Sequence, residues 1–74
     1  SDLAAAQYNL AAALDGAGRT AEAVDHYAEA VRIDSRYLKA LRGLATGLVV
    51  LGRADEAVIR FRDLLRLTPD GLSG

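Results

Sequence analysis

His26 stands between Asp25 and Tyr27 and is the only imidazole in the chain. A histidine that moves protons needs a nucleophile or an acid held within reach. Here it falls one step off an apolar helical stripe, so it is predicted to face solvent, with a pH-sensitive surface contact as the alternative. The stretch DGAG (15–18) has the glycines of a phosphate loop. It follows a helical pattern rather than a strand, and no lysine follows it, so it marks the end of a helix. Asp55 and Glu56 open another helical pattern, where acids complement the helix dipole. With one histidine and no cysteine there is no basis for a disulfide or a thiolate metal site. The expectation is a protein that is not an enzyme and needs no cofactor or metal.

The elements around these residues are helical. The composition is 51% hydrophobic but only 5% aromatic, and alanine and leucine, both strong helix formers, carry most of it. The one proline, Pro69, comes near the end. No apolar run approaches the ~20 residues of a membrane span, and no signal-peptide pattern opens the chain. A cytoplasmic protein without membrane contact is expected. The net charge of −1 argues against nucleic-acid binding. Residues 1–37 carry six acids and three bases, whereas residues 38–74 carry four acids and six bases, so the two halves differ in sign. Eight arginines to one lysine in an alanine-rich chain hint at a GC-rich bacterial source. At 74 residues the chain is one small domain with a marginal core, and is expected to be a fragment of a longer protein.

GRTAEAVDHY (18–27) returns as GRADEAVIRF (52–61), 34 residues later. Laying residues 4–37 over residues 38–71 gives ten identities, among them Ala6/Ala40, Leu10/Leu44, Ala11/Ala45, Gly18/Gly52 and Ala23/Ala57. Tyr27/Phe61, Val31/Leu65 and Ile33/Leu67 exchange like for like. Each unit contains two helical stripes. Leu3, Gln7, Leu10 and Leu14 form the first, and Ala23, Tyr27, Ala30 and Asp34 the second, widened by Val24 and Val31. Leu41, Leu44, Leu48 and Leu51, then Ala57, Phe61, Leu64 and Leu65, repeat the scheme. Gly18 and Gly52 break each unit, Thr20 is available as a cap, and Pro69 stops the last helix. Helices are predicted near 3–17, 20–34, 37–51 and 54–67. Ala11 with Ala23, and Ala45 with Ala57, sit where antiparallel partners would cross, and small side chains there permit close axes. Gly43 and Gly47 lie inside the third helix at a cost of ~1 kcal/mol each relative to alanine. Close packing against the preceding helix explains them, with a shallow spot on a groove floor as the alternative.

The period and pattern resemble the tetratricopeptide repeat, W-x2-L-G-x2-Y, A-x3-F, P. The first unit offers Gln7-x2-Leu10-Ala11-x2-Leu14, Ala23-x3-Tyr27 and Ser35, and the second Leu41-x2-Leu44-Ala45-x2-Leu48, Ala57-x3-Phe61 and Pro69. The resemblance implies an all-α fold of two antiparallel helical hairpins, four helices in all, stacked as a short right-handed solenoid. Repeat 1 would span 4–37 and repeat 2 would span 38–71. Gln7 departs from the family aromatic and Ser35 from the proline. Gln7 lies in a helix with no preceding repeat, where a polar residue is acceptable.

The resemblance also implies a concave groove lined by the first helix of each unit. Its contacts would come from Tyr8, Asn9, Lys39, Arg42, Thr46 and Val49. An aromatic beside two cations suits a peptide with acidic and apolar residues. Asn9 and Lys39 fall in slots similar to part of a carboxylate clamp used by one subclass of the family. Gly43 stands where a further member would be, and solvent-facing polar residues are the simpler account. GLVVLG (47–52) is apolar all round, and Ile59 and Leu64 replace polar or small residues. A helix apolar on every face wants burial. Val49, Val50, Ile59, Leu64 and Leu65 therefore mark either an internal junction of a longer chain or a self-association surface. The leading expectation is a protein- or peptide-binding scaffold or adaptor. The alternatives are a self-association module, as a homodimer or stack, and a regulatory segment attached to an enzyme domain.

Overall fold

The protein is described by a computed structural model covering residues 1–68. Among these residues it is all-α: α1 (Asp2–Gly16), α2 (Thr20–Ile33), α3 (Leu38–Val50) and α4 (Ala54–Leu67). Each observed end falls within one residue of its prediction. Pro69 lies outside the described residues.

Both hairpin turns are built alike because both begin with the same residues. Gly18 and Gly52 adopt the left-handed conformation, with φ of +81° and +76°. The Arg19 amide then donates to Leu14 O at 2.9 Å, and the Gly18 amide to Asp15 O at 3.0 Å. The Arg53 amide does the same to Leu48 O at 2.8 Å, and the Gly52 amide to Val49 O at 3.0 Å. This is the Schellman arrangement, in which glycine at C′ lets two orphan carbonyls be satisfied. The start of the second helix corrects one expectation. Thr20 is not a cap but the first helical residue; Arg19 is the N-cap, and no side chain caps that end. Instead the Arg19 guanidinium donates twice to Glu22, at 2.7 and 2.8 Å, and Arg53 donates to Glu56 at 2.7 and 2.9 Å. The recurring Gly-Arg-x-x-Glu is thus a turn plus a bidentate pair.

Helices pack against their chain neighbours, α1 on α2, α2 on α3 and α3 on α4. The crossings predicted from alanine are present: Ala11, Ala23, Ala45 and Ala57 are all buried. The glycines of α3 also have their packing reason. A methyl on Gly43 would lie 2.5 Å from Tyr27 Cζ, and one on Gly47 would lie 2.6 Å from Val24 Cγ2. Ala57→Leu should lower stability by roughly 1–3 kcal/mol through overpacking at the α3–α4 crossing. An unchanged melting temperature would contradict the burial of that residue.

Two stripes differ from expectation. On α1 the covered residues are Ala4 and Ala11, with Gln7, Tyr8 and Leu14 half-buried. Leu3 and Leu10 are exposed, at 71% and 45%. The α1–α2 contact is made by small side chains, which turns these two leucines to the open side. On α4 only Ala57 is buried; Leu64 is half-buried, and Phe61 and Leu65 are exposed. No described helix covers that face.

Candidate interaction site

His26 is not the free surface group expected. It is half-buried, and its Nδ1 meets Gln7 Oε1 at 2.7 Å. The amide oxygen can only accept, so Nδ1 carries the proton. Gln7 therefore has a reason other than the one its place in the sequence suggested: it ties α1 to α2 rather than lining an open end. The sequence offered only a partial signal, a polar Gln7 within one apolar stripe and His26 one step off the next. His26 thereby has a structural partner in Gln7. Among the described residues, no three His, Asp or Glu side chains converge to hold a metal ion.

The six groove residues lie on α1 and α3. Tyr8 is half-buried and belongs partly to the core. Its ring lies 5.8 Å from Tyr27 and 5.2 Å from Tyr37, tilted against both. Asn9, Lys39, Arg42, Thr46 and Val49 are exposed. The Thr46 hydroxyl donates back to Arg42 O at 3.0 Å, with Gly43 O at 3.2 Å, so its donor is engaged. Lys39 and Arg42 have no carboxylate within 4 Å among the described residues. Beneath them, burial raises the pKa of the Tyr27 hydroxyl, and the charge of Asp15 adds to the effect.

An open cleft of about 370 Å³ lies elsewhere, between α2, α3 and α4. Val24, Leu44, Leu48 and Ile59 form its apolar wall, and Asp25, Arg53, Glu56 and Arg60 its charged rim. Most of that rim is already paired, Arg53 with Glu56 and Arg60 with Asp63 at 3.1 Å. The Arg53 hydrogen bonds lower the Glu56 pKa, partly opposed by desolvation, and those of Arg32 lower that of Glu29 in the same way. A carboxylate depressed in the folded state contributes stability above its ordinary range and loses it as pH falls through the folded value. Arg53→Gln combined with Arg32→Gln should therefore flatten the loss of melting temperature on acidification. An acid limb as steep as that of the parent would count against these pairs.

The self-association residues lie on α3 and α4 and differ in exposure. Val49 and Val50 end α3, where Val50 lines a cleft with Gly18–Glu22 of the first turn. Ile59 faces the α2–α4 cleft, Leu64 is half-buried, and Leu65 lies exposed on α4. Sequence reasoning named Leu65 but missed Val58 and Phe61, which share its open face. Thirty-four residues earlier stand Val24, Tyr27 and Val31. Val24 and Tyr27 are 4% and 5% exposed, while Val58 and Phe61 are 49% and 36% exposed. The same face is covered in the first hairpin and open in the second. No helix among the described residues is long and apolar enough to cross a membrane. No family model and no curated protein sequence matches the chain.

Proposed function

We propose that this chain is a non-catalytic protein-interaction module of the tetratricopeptide type, whose partner contributes a helix to the open face of α4. The observation that carries the reading is the exposure of Val58, Phe61 and Leu65, whose counterparts in α2 lie against or beside α3. An apolar helix face of this kind, bordered by charged residues, marks an interaction site. The helix that covers the counterpart face in the first hairpin carries Gly43 and Gly47 four apart.

The test uses a synthetic peptide of residues 37–51 added to the isotopically labelled chain. Amide shifts should move at Val58, Phe61 and Leu65. A peptide that leaves all three unmoved at millimolar concentration would overturn the reading.

A second reading has its own support. Lys39 and Arg42 are exposed on α3 without an acidic partner among the described residues, and Asn9 is exposed on α1. An extended peptide with acidic and apolar residues would suit that groove. It should shift the amides around Arg42 in the parent, and should fail to do so in Lys39→Glu with Arg42→Glu.

A further inference from the structure

We infer that the helix received by α4 is α1 of a second copy, so that the chain stacks head to tail in the register its own hairpins already use. The inference rests on the interaction reading above and names its partner.

The first observation is the free face of α1. Shifted by 34 residues, the α3 residues Ala40, Leu44 and Gly47 correspond to Ala6, Leu10 and Ala13, the first two identically. Ala40, Leu44 and Gly47 are buried, whereas Ala6, Leu10 and Ala13 are exposed. Exposed Leu3 extends that stripe. The chain thus carries, at its first helix, the face that seats on α2 internally. At its last helix it carries the face that receives it.

A second observation comes from the turns. The cleft at the first turn is lined by Gly18–Glu22 on one side and by Val50 and Leu51 of the second hairpin on the other. A cleft recurs at the second turn, lined by Gly52–Glu56 alone. Those five residues are the 34-residue counterparts of the first five. The counterparts of Val50 and Leu51 are Gly16 and Ala17, at the end of α1, where a stacked copy would bring them.

Charge agrees with this direction. The acidic first half of one copy, whose α1 carries Asp2 and Asp15 and no base, would meet the second half of its neighbour, net basic through Lys39, Arg42 and Arg53 although α4 itself balances. Opposite charges favour that encounter, and added salt weakens it.

One difference separates the junction from the internal contact. Asn9 and Ala13 replace Gly43 and Gly47, so the docked helix carries two extra Cβ atoms. The Tyr27 ring is backed by Tyr8, but the counterpart of Tyr8 is Arg42. The Phe61 ring, 36% exposed, therefore lacks that aromatic support and is less confined than Tyr27. The contact between copies is accordingly looser than the one within a copy.

Because the two faces differ, the contact is heterologous and does not close on itself as a twofold dimer does. Light-scattering mass should rise steadily with concentration and pass beyond two chains. Leu10→Glu with Ala13→Glu blocks one face, and Val58→Glu with Leu65→Glu blocks the other. Each variant should have the mass of one chain, and an equimolar mixture should reach two chains and stop. Circular dichroism checks that each remains helical; if a glutamate pair unfolds the chain, glutamine at the same positions replaces it.

A parent chain that stays single at every concentration overturns the inference. So does an α1-blocked variant that associates as well as the parent, because α4 would then be pairing with α4. A mixture that stays at the mass of one chain also overturns it. If the 37–51 peptide still shifts α4 in any of these cases, the interaction reading stands and only self-stacking fails.

Discussion

Tyr27→Ala should lower the melting temperature by more than about 12 °C and leave the chain close to unfolded at 37 °C. Removing a large buried aromatic side chain costs ~3–5 kcal/mol, and each kcal/mol is worth about 4–8 °C in a domain of this size. At ~0.05–0.15 kcal/mol per residue, 74 residues hold only roughly 4–11 kcal/mol in total. Tyr27 is where that small sum concentrates. It is 5% exposed, its ring lies tilted against Tyr8 of α1, and it fills the space over Gly43 of α3. It therefore joins three of the four described helices. Tyr27→Phe keeps the ring and should cost much less. Thermal denaturation followed by circular dichroism measures both. A Tyr27→Ala variant within a few degrees of the parent would mean that the α2–α3 contact does not hold the hairpins together. Phe61→Ala, at the counterpart position, should cost far less, because its ring is already partly in water. The contrast between the two substitutions tests whether exposure, rather than residue type, decides the loss.

What the sequence made legible was local. The left-handed glycines, the helix that each one ends and the helix that follows depend on contacts a few residues apart. The 34-residue period then fixed four helices and two turns. The alanine crossings were also readable, because small residues recur at matched positions. The orientation of α1 was not. That helix has an apolar face of Ala4 and Ala11 and another of Leu3 and Leu10, and periodicity alone favours the larger side chains. Which one is covered depends on the neighbour, and α2 presents alanines that admit a close approach. Gln7 and His26 went astray for the same reason, since their partnership exists only once the two helices cross. The exposed face of α4 was hidden by its own regularity. Val58, Phe61 and Leu65 have the spacing of a core stripe, and only the contrast with Val24, Tyr27 and Val31 reveals that nothing described covers them.

Gly43→Ala should destabilise the parent chain and stabilise a Tyr27→Leu background, a change of sign from one methyl group. In the parent, that methyl meets three atoms of the Tyr27 ring at 2.5, 2.6 and 2.8 Å. Contacts this short force the ring or the helix to move, and overpacking of a core typically costs ~1–3 kcal/mol. The ring has little freedom to yield, being buried against Tyr8. Alanine returns up to about 1 kcal/mol of helix propensity, so the net effect in the parent is a loss of up to ~2 kcal/mol. Leucine at position 27 lacks the outer ring atoms that clash, and it leaves space that the added methyl partly fills. There the propensity gain should dominate, raising stability by up to ~1 kcal/mol over Tyr27→Leu alone. A double-mutant cycle from four chemical-denaturation curves reads the coupling directly. If Gly43→Ala instead stabilises the parent, α2 and α3 stand farther apart than the structure places them. The fit expected of a partner helix on α4 would then lose its template. If both backgrounds lose equally, the cost lies in the α3 backbone rather than in the ring. A reversal of sign would establish that glycine is present at position 43 because tyrosine is present at position 27.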